Sequence, residues 1–145
     1  MKNLNETIGF IGAGNMATAL ISGLINSDQN ASKIIASSPE QEHLEKLSKD
    51  FGIKTTSNNL EVIDIADIVI LAVKPNIVQA VIDEIKDAAK DKDILIISIA
   101  AGVKIEKIES QLGSHIRVIR AMPNTPASIM AVSYTHLTLP TIDPV

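Results

Sequence analysis

The feature that most constrains this chain is a glycine pattern placed directly after an apolar run. Residues 7–11 lead into Gly12-x-Gly14-x-x-Ala17, and a segment with helical periodicity follows. In such a pattern the first glycine permits a tight turn, the second lets a ligand approach the backbone, and the small third residue brings helix and strand together. The pattern predicts a strand–turn–helix unit that binds a dinucleotide pyrophosphate at the helix start. The alternative is a glycine turn that serves only close packing.

The rest of the chain alternates short apolar runs with longer amphipathic segments. Six runs are predicted as strands, at residues 7–11, 33–36, 53–55, 68–73, 94–99 and 117–121. Five segments are predicted as helices, at residues 15–26, 39–50, 60–65, 77–90 and 104–111. This alternation predicts an α/β fold of the Rossmann type, doubly wound, with a mainly parallel six-stranded sheet and helices on both faces.

Composition narrows the functional classes. The chain has 145 residues, of which 46% are hydrophobic and 21% charged, as in one globular domain. Its net charge of −4, with scattered Lys and Arg, argues against nucleic-acid binding and polybasic membrane attachment. With no cysteine and three dispersed histidines, no metal site is expected. Because neither a signal peptide nor a long apolar run is visible, we expect a cytoplasmic protein.

The residues after the second predicted strand bear on cofactor choice. NAD-specific proteins usually place an acidic side chain there to bind the ribose 2′-hydroxyl. This chain has Ser37, Ser38 and Pro39 instead, and its first carboxylate is that of Glu40. Two hydroxyls and a helix start favour NADP(H), while NAD(H) stays possible because no arginine is there to bind the 2′-phosphate. A second interpretation of Ser38 and Pro39 is a plain helix N-cap followed by proline at the first helical position.

Three further segments follow predicted strands, which is where ligands bind in open α/β sheets. They are Ala72-Val73-Lys74-Pro75, Ser98-Ile99-Ala100-Ala101-Gly102 and Met122-Pro123-Asn124-Thr125-Pro126. Their small residues and prolines predict a rigid floor for a nicotinamide ring. Lys74 is a candidate proton donor, although a loop lysine is more often solvated. Asn124 and Thr125 offer polar groups near the same place, or cap a turn between two prolines.

The other ionisable side chains have no catalytic partner nearby in sequence. His43 and His115 lie in polar stretches and are expected at the surface. Six acidic residues in helical faces and turns are interpreted as solvated: Asp64, Asp67, Asp83, Glu84, Asp91 and Asp93.

Five segments together resemble the N-terminal domain of pyrroline-5-carboxylate reductases. They are residues 9–17, 37–39, 72–75, 98–103 and 120–126, in the family's order and spacing. The resemblance implies hydride transfer from NAD(P)H to the C=N bond of 1-pyrroline-5-carboxylate, giving L-proline in the last step of proline biosynthesis. Two alternatives stay open: another β-hydroxyacid-dehydrogenase-like reductase, and a non-catalytic NADP(H)-binding module.

The same resemblance implies the cofactor contacts. The residues of the glycine motif are implied to contact the cofactor around its pyrophosphate: Ile11, Gly12, Ala13, Gly14, Asn15, Met16 and Ala17. Ser37 and Ser38 are implied at the 2′-phosphate and Asn59 at the adenosine ribose. The nicotinamide half is implied to contact Ala72, Val73, Lys74, Pro75, Ala100, Ala101 and Gly102, with Asn124 and Thr125 near the nicotinamide or substrate. Catalytic residues stay unassigned.

The resemblance also sets expectations for domain organisation. We expect a dinucleotide-binding domain over residues 1–130 and an atypical tail over residues 131–145, in which the stretch SYTHLTLP resembles translated vector sequence. Family members continue into a helical domain that forms homo-oligomers and makes most substrate contacts. That domain is expected to be absent here, so the isolated chain is expected to be inactive or weakly active.

Overall fold

A computed structural model describes residues 6–113 and 116–121. The strands are β1 Ile8–Ile11, β2 Ile34–Ser37, β3 Lys54–Thr56, β4 Ile68–Leu71, β5 Leu95–Ser98 and β6 Arg117–Arg120. The helices are α1 Asn15–Asn26, α2 Gln41–Phe51, α3 Asn59–Ile65, α4 Pro75–Ala89 and α5 Ile105–Leu112, with a 3-10 turn at Ala31–Lys33. The predicted order of strands and helices is confirmed within the described residues.

The strand order explains how the helices are distributed over the sheet. All five strand pairs are parallel, in the order β3-β2-β1-β4-β5-β6. The chain first moves outward from β1 to β3, then crosses back over the sheet to β4 and continues to β6. Because such crossovers are right-handed, α1 and α2 pack on one face and α3, α4 and α5 on the other. The predicted doubly wound Rossmann-type fold is confirmed.

Both faces of the sheet are buried, which explains why its strands are apolar without alternation. Every residue of β1, β2, β4 and β5 is buried. On one face Phe10 of β1 shares a core cluster with Leu20 of α1, and on the other Leu71 of β4 shares one with Ile82 of α4. Continuous apolar runs are what a parallel sheet covered on both faces requires.

Several element ends differ from their predicted positions. β4 ends at Leu71, so Ala72 and Val73 lie in the connection to α4, whose first residue is Pro75. The predicted start of the second helix at residue 39 is wrong, because α2 begins at Gln41 with Glu40 as its N-cap. The Ser38 hydroxyl accepts the Glu40 N–H at 3.0 Å, which makes a turn before the helix rather than its first turn.

The part of the chain that the structure describes contains neither a membrane-spanning helix nor a candidate metal site. None of its helices combines the length and the apolar character that crossing a membrane needs. Nor do three or more of its His, Asp or Glu side chains come together in a way that could hold a metal ion.

Candidate functional site

The strands end in register along one edge of the sheet. Ile11, the last residue of β1, is aligned with Ser37 of β2 and with Leu71 of β4. Leu71 is aligned in turn with Ser98 of β5, and Ser98 with Arg120 of β6. The fold therefore brings the predicted site segments after β1, β2, β4 and β5 to one edge. The point between β1 and β4, where the strand order reverses, is where open α/β sheets form a ligand crevice.

Gly12 makes the turn by which the chain leaves β1. Its φ is +113°, and a Cβ atom there would lie 2.7 Å from the carbonyl oxygen of Ala72. The Gly12 N–H donates to the carbonyl oxygen of Ser37 at 2.9 Å, and the Ala72 N–H donates to that of Ile11 at 2.9 Å. The turn is thus held between the backbones of the two neighbouring strands. Only glycine suits both the dihedral angle and the space.

Gly14 leaves the start of α1 open. It is the N-cap of α1 in extended conformation, and the helix start has no side-chain cap among the described residues. A Cβ atom on Gly14 would meet no atom within 4 Å, so packing does not require glycine here. The first helical N–H groups of α1 have no partner within the helix. The small residue therefore keeps free space in front of N–H donors, which is the arrangement that anions use.

Of the remaining residues of the glycine motif, two are buried and two are exposed. Ala17 is fully buried and Ala13 nearly so, and both belong to the core cluster between α1 and the sheet. Asn15 and Met16 are exposed at the helix start. Small buried residues hold α1 close to β1, and the exposed pair lies at the start of the helix.

A row of side-chain hydrogen bonds closes the end of β2. The hydroxyl of Ser37 is fully buried and donates to Oδ1 of Asn59 at 2.5 Å. Asn59, the first residue of α3, donates through Nδ2 to a carboxylate oxygen of Glu84 on α4 at 2.7 Å. The Ser37 hydroxyl is therefore engaged inside the fold. Asn59 is half-buried and Glu84 exposed, so the row runs from the buried end of β2 to the surface.

The connections after β4 and β5 form the other half of the edge. Ala72 and Val73 are half-buried, whereas Lys74 and Pro75 are exposed as the N-cap and first residue of α4. The ion pairs within the described ranges involve Lys86, Lys92 and His43, and Lys74 takes part in none of them.

The segment after β5 follows the same plan of small residues. Ala100 is buried, whereas Ala101 and Gly102 are exposed. Gly102 has a φ of +77° with open space around it. The predicted positions Asn124 and Thr125, like the tail after residue 130, lie outside the described residues.

Ser98, at the end of β5, is an exception among buried polar groups. Its side chain is fully buried, and its hydroxyl has no hydrogen-bond partner among the described residues. Its carbonyl oxygen accepts the N–H of Ala121 at 2.9 Å, as the parallel ladder requires. Buried hydroxyl groups usually have partners, so this one stands out at the edge of the site.

Two of the acidic residues interpreted as solvated also make hydrogen bonds at the sheet that sequence analysis missed. All six are exposed, as expected. Glu84 accepts from Asn59, and Asp67 accepts the Thr7 N–H at 2.9 Å just before β1. No local signal could have found Glu84, because its partner lies 25 positions earlier on a different helix.

Known proteins resemble the chain over the region that contains this edge. Residues 7–102 match the family described as NADP oxidoreductase, coenzyme F420-dependent. A pyrroline-5-carboxylate reductase from Escherichia coli strain K12 is 43% identical over 129 residues, covering 88% of this chain and 48% of that protein. The chain spans slightly less than half the length of the curated relatives it matches. The resemblance predicted from the five segments is thereby confirmed.

Two solved structures share both fold and sequence with the chain. A pyrroline-5-carboxylate reductase from Coxiella burnetii has 39% identity and a TM-score of 0.81, covering 87% of this chain and 47% of that one. A pyrroline carboxylate reductase from Plasmodium falciparum, solved with NADP bound, has 31% identity and a TM-score of 0.73, covering 88% of this chain and 46% of that one.

Proposed function

The chain belongs to the family of NADP oxidoreductases described as coenzyme F420-dependent, and from that premise we propose that it forms the NADP(H)-binding half of a pyrroline-5-carboxylate reductase. The bound dinucleotide would supply a hydride to the C=N carbon of 1-pyrroline-5-carboxylate, and protonation at nitrogen would give L-proline. The observation that carries the proposal is the open start of α1 behind Gly14, at the reversal of the strand order. The relative solved with NADP supports the choice of ligand.

The pyrophosphate is assigned to the start of α1. The first backbone N–H groups of the helix would donate to its oxygens, and the positive end of the helix dipole would favour its charge. Ala17 would act indirectly, since its buried methyl group holds the helix start against the sheet. Gly12 would act by keeping the turn between β2 and β4 narrow.

The adenosine ribose and the 2′-phosphate are assigned to the end of β2. Ser38 and Asn59 carry a hydroxyl and an amide group there, whereas the buried Ser37 hydroxyl would act indirectly, through the hydrogen bond that it donates to Asn59. The nearby carboxylate of Glu40 is mostly exposed and pairs with His43 at 3.0 Å. The Ser38 hydroxyl and the second N–H of the Asn59 amide would donate to a phosphate group, while the Glu84 carboxylate is engaged by the first N–H of that amide, so NADP(H) is the favoured cofactor and NAD(H) the weaker one.

The nicotinamide half is assigned to the connections after β4 and β5. Ala72, Val73 and Pro75 would form one side of a rigid floor, and Ala100 and its neighbours the other. Lys74 is the candidate proton donor on this side, because its ammonium group stands exposed at the start of α4 and forms no ion pair with the described residues.

The division into domains is part of the same proposal. Residues 1–130 would make the dinucleotide-binding domain, and residues 131–145 an atypical tail. The opposite wall of the substrate site and the contacts between subunits are assigned to the part of the longer relatives that this chain does not match. A cytoplasmic location would suit a reductase that draws on the NADPH pool.

The test uses the full chain, alone and mixed with a separately produced C-terminal half of the Escherichia coli relative. We expect NADPH fluorescence to titrate with the chain alone and proline to form only in the mixture. A chain that does not bind NADPH would contradict the proposal. Binding without proline formation in the mixture would favour the non-catalytic module, and oxidation of a β-hydroxyacid would favour the other reductase class.

The chain alone is expected to reduce 1-pyrroline-5-carboxylate very slowly. Holding the imine carbon against the nicotinamide from both sides accounts for roughly 7–11 kcal/mol of the barrier in well-oriented systems. The connections after β4 and β5 would contact the substrate from one side only, which is not enough to hold the imine carbon in place. Turnover within about tenfold of a full-length relative, measured by NADPH oxidation, would show that the assignment of the second wall is wrong.

A further inference from the structure

We propose that Glu84 is a positioning residue for the adenosine end of the cofactor site, acting by fixing the side-chain amide of Asn59. The inference rests on the proposed function, because it concerns the same site. Its basis is the row in which the Ser37 hydroxyl donates to Asn59 at 2.5 Å and Asn59 donates to Glu84 at 2.7 Å. The row joins β2, α3 and α4, three elements that are far apart in sequence.

The chemistry of the three groups fixes the direction of the row. An ionised carboxylate only accepts hydrogen bonds, so Asn59 has to present its NH₂ group to Glu84. Its carbonyl oxygen then faces Ser37, whose hydroxyl can donate. With the amide reversed, two oxygens would face each other at Glu84. The orientation of the amide is thus determined by its partners, independently of how amide nitrogen and oxygen are placed.

The fixed orientation leaves Asn59 able to donate to a ligand. An amide NH₂ group has two N–H donors, and Glu84 uses one of them. The second has no acceptor within residues 6–113 and 116–121, and Asn59 is half-buried next to the carboxyl end of β2. Ribose hydroxyls and phosphates offer oxygens, so this donor suits them. If Glu84 were removed, the amide could turn its carbonyl oxygen towards the same ligand, and two acceptors would then face each other.

The surroundings of Glu84 argue against a purely solvated role. Its neighbours three and four positions away on α4 are Ala80, Val81, Asp87 and Ala88, so no cation pairs with it along the helix. Asp83, by contrast, accepts from Gln79 at 3.0 Å and lies 3.8 Å from Lys86, both on α4. Of these two adjacent acids, Glu84 is the one that reaches another element.

The test compares Glu84→Ala with Glu84→Gln and with a matched control, Asp87→Ala. Asp87 is an exposed acid one turn further along α4 and does not belong to the row. The full chain is titrated with 2′,5′-ADP, which carries only the adenosine end, and with reduced nicotinamide mononucleotide, which carries only the other end. Thermal unfolding of each variant reports on the fold.

The expected result is a selective loss in one variant. Glu84→Ala should weaken 2′,5′-ADP binding by about threefold to tenfold, the range of one net hydrogen bond, and leave the mononucleotide unchanged. Glu84→Gln should bind like the parent chain, because its amide oxygen still accepts from Asn59. Asp87→Ala should also bind like the parent chain.

A double substitution shows whether Glu84 acts through Asn59. In an Asn59→Ala background, Glu84→Ala should cause no further loss of 2′,5′-ADP affinity. The inference would be overturned by a further loss of the same size in that background. It would also be overturned if Glu84→Gln lost as much affinity as Glu84→Ala, or if Glu84→Ala weakened both half-ligands equally. If the parent chain binds neither 2′,5′-ADP nor NADPH, the proposed function is itself wrong. If the parent binds and Glu84→Ala matches Asp87→Ala, only the positioning role is wrong.

Discussion

The turn after β1 and the end of β2 lie side by side at the same edge, yet they are built differently. The turn is made by backbone: the positive φ of Gly12, its N–H bond to Ser37, and the uncapped start of α1. The end of β2 is made by side chains from three elements, joined over 22 and 25 positions of sequence. A subsite made of backbone is encoded in one short motif, whereas one made of side chains depends on the assembled fold.

Gly12→Ala should have the largest effect, because backbone surrounds this position. Dihedral strain of about 1–3 kcal/mol adds to the overlap with the Ala72 carbonyl group, for a total of about 2–4 kcal/mol in unfolding free energy. NADPH binding should be lost as the turn shifts. Urea denaturation and fluorescence titration measure the two effects.

Gly52→Ala is the matched control for that substitution. Gly52 has a φ of +70° after α2, but a Cβ there meets no atom within 4 Å. Only the dihedral cost of about 1–2 kcal/mol is expected, with NADPH affinity unchanged. If both variants lose the same stability, the close approach at Gly12 contributes nothing.

Gly14→Val should separate ligand access from folding. Because space around Gly14 is open, the unfolding free energy should change by only about 1 kcal/mol, the cost of a poor N-cap residue. NADPH affinity, measured by calorimetry, should fall at least about tenfold, since the side chain blocks the pyrophosphate. Gly14→Ala should lose less. Unchanged affinity in both variants would remove the start of α1 from the site.

Ser38→Asp should change cofactor preference at the side-chain-built end. Aspartate can still accept the Glu40 N–H, so α2 should keep its start. Its charge would repel the 2′-phosphate and accept from a ribose hydroxyl, and a tenfold change in the NADPH-to-NADH affinity ratio needs only about 1.4 kcal/mol. Ser38→Asn is the uncharged control. If the affinities for NADPH and NADH change by the same factor, Ser38 only stabilises its turn and does not select the cofactor.

Ser98→Ala should have the smallest effect. The substitution removes a buried hydroxyl that has no hydrogen-bond partner among the described residues. The unfolding free energy should stay the same or rise by up to about 1 kcal/mol. A loss of more than about 1 kcal/mol in urea denaturation would show that this hydroxyl has a partner beyond those residues, making the end of β5 a second side-chain-built region.

The fold was predictable because its signals are local. Apolar runs long enough for buried strands alternate with helical periodicity, and α1 has the predicted bounds Asn15–Asn26. Two of the ends that moved, the helix start predicted at Pro39 and the strand end predicted at Val73, lie next to the sheet edge. There, hydrogen bonds from turns and neighbouring strands decide the boundary, as at Glu40 and Ala72.

The site was predictable in part, for the same reason. Gly12 and Gly14 follow from the motif, and their different surroundings explain why both are glycines. Asn59 came only from the family resemblance, because nothing in its local sequence marks it. Glu84 was missed, since an acid on an exposed helix face looks solvated until its partner on α3 is placed beside it. The assignments of the ligand contacts themselves stay predictions.

During folding, the central strand β1 completes its pairing only when a strand distant in sequence, β4, joins it. β1 pairs with β2 early in the sequence, but its other partner is β4, whose flanking residue Asp67 lies 60 positions after Thr7. The entropic cost of closing that loop rises slowly with its length, by about 0.6 kcal/mol per doubling. Folding is nevertheless slow when strands that are far apart in sequence have to pair. The Gly12 turn gains its Ala72 neighbour only at that step. A dinucleotide that binds this turn would therefore stabilise only chains that have already joined the two halves of the sheet.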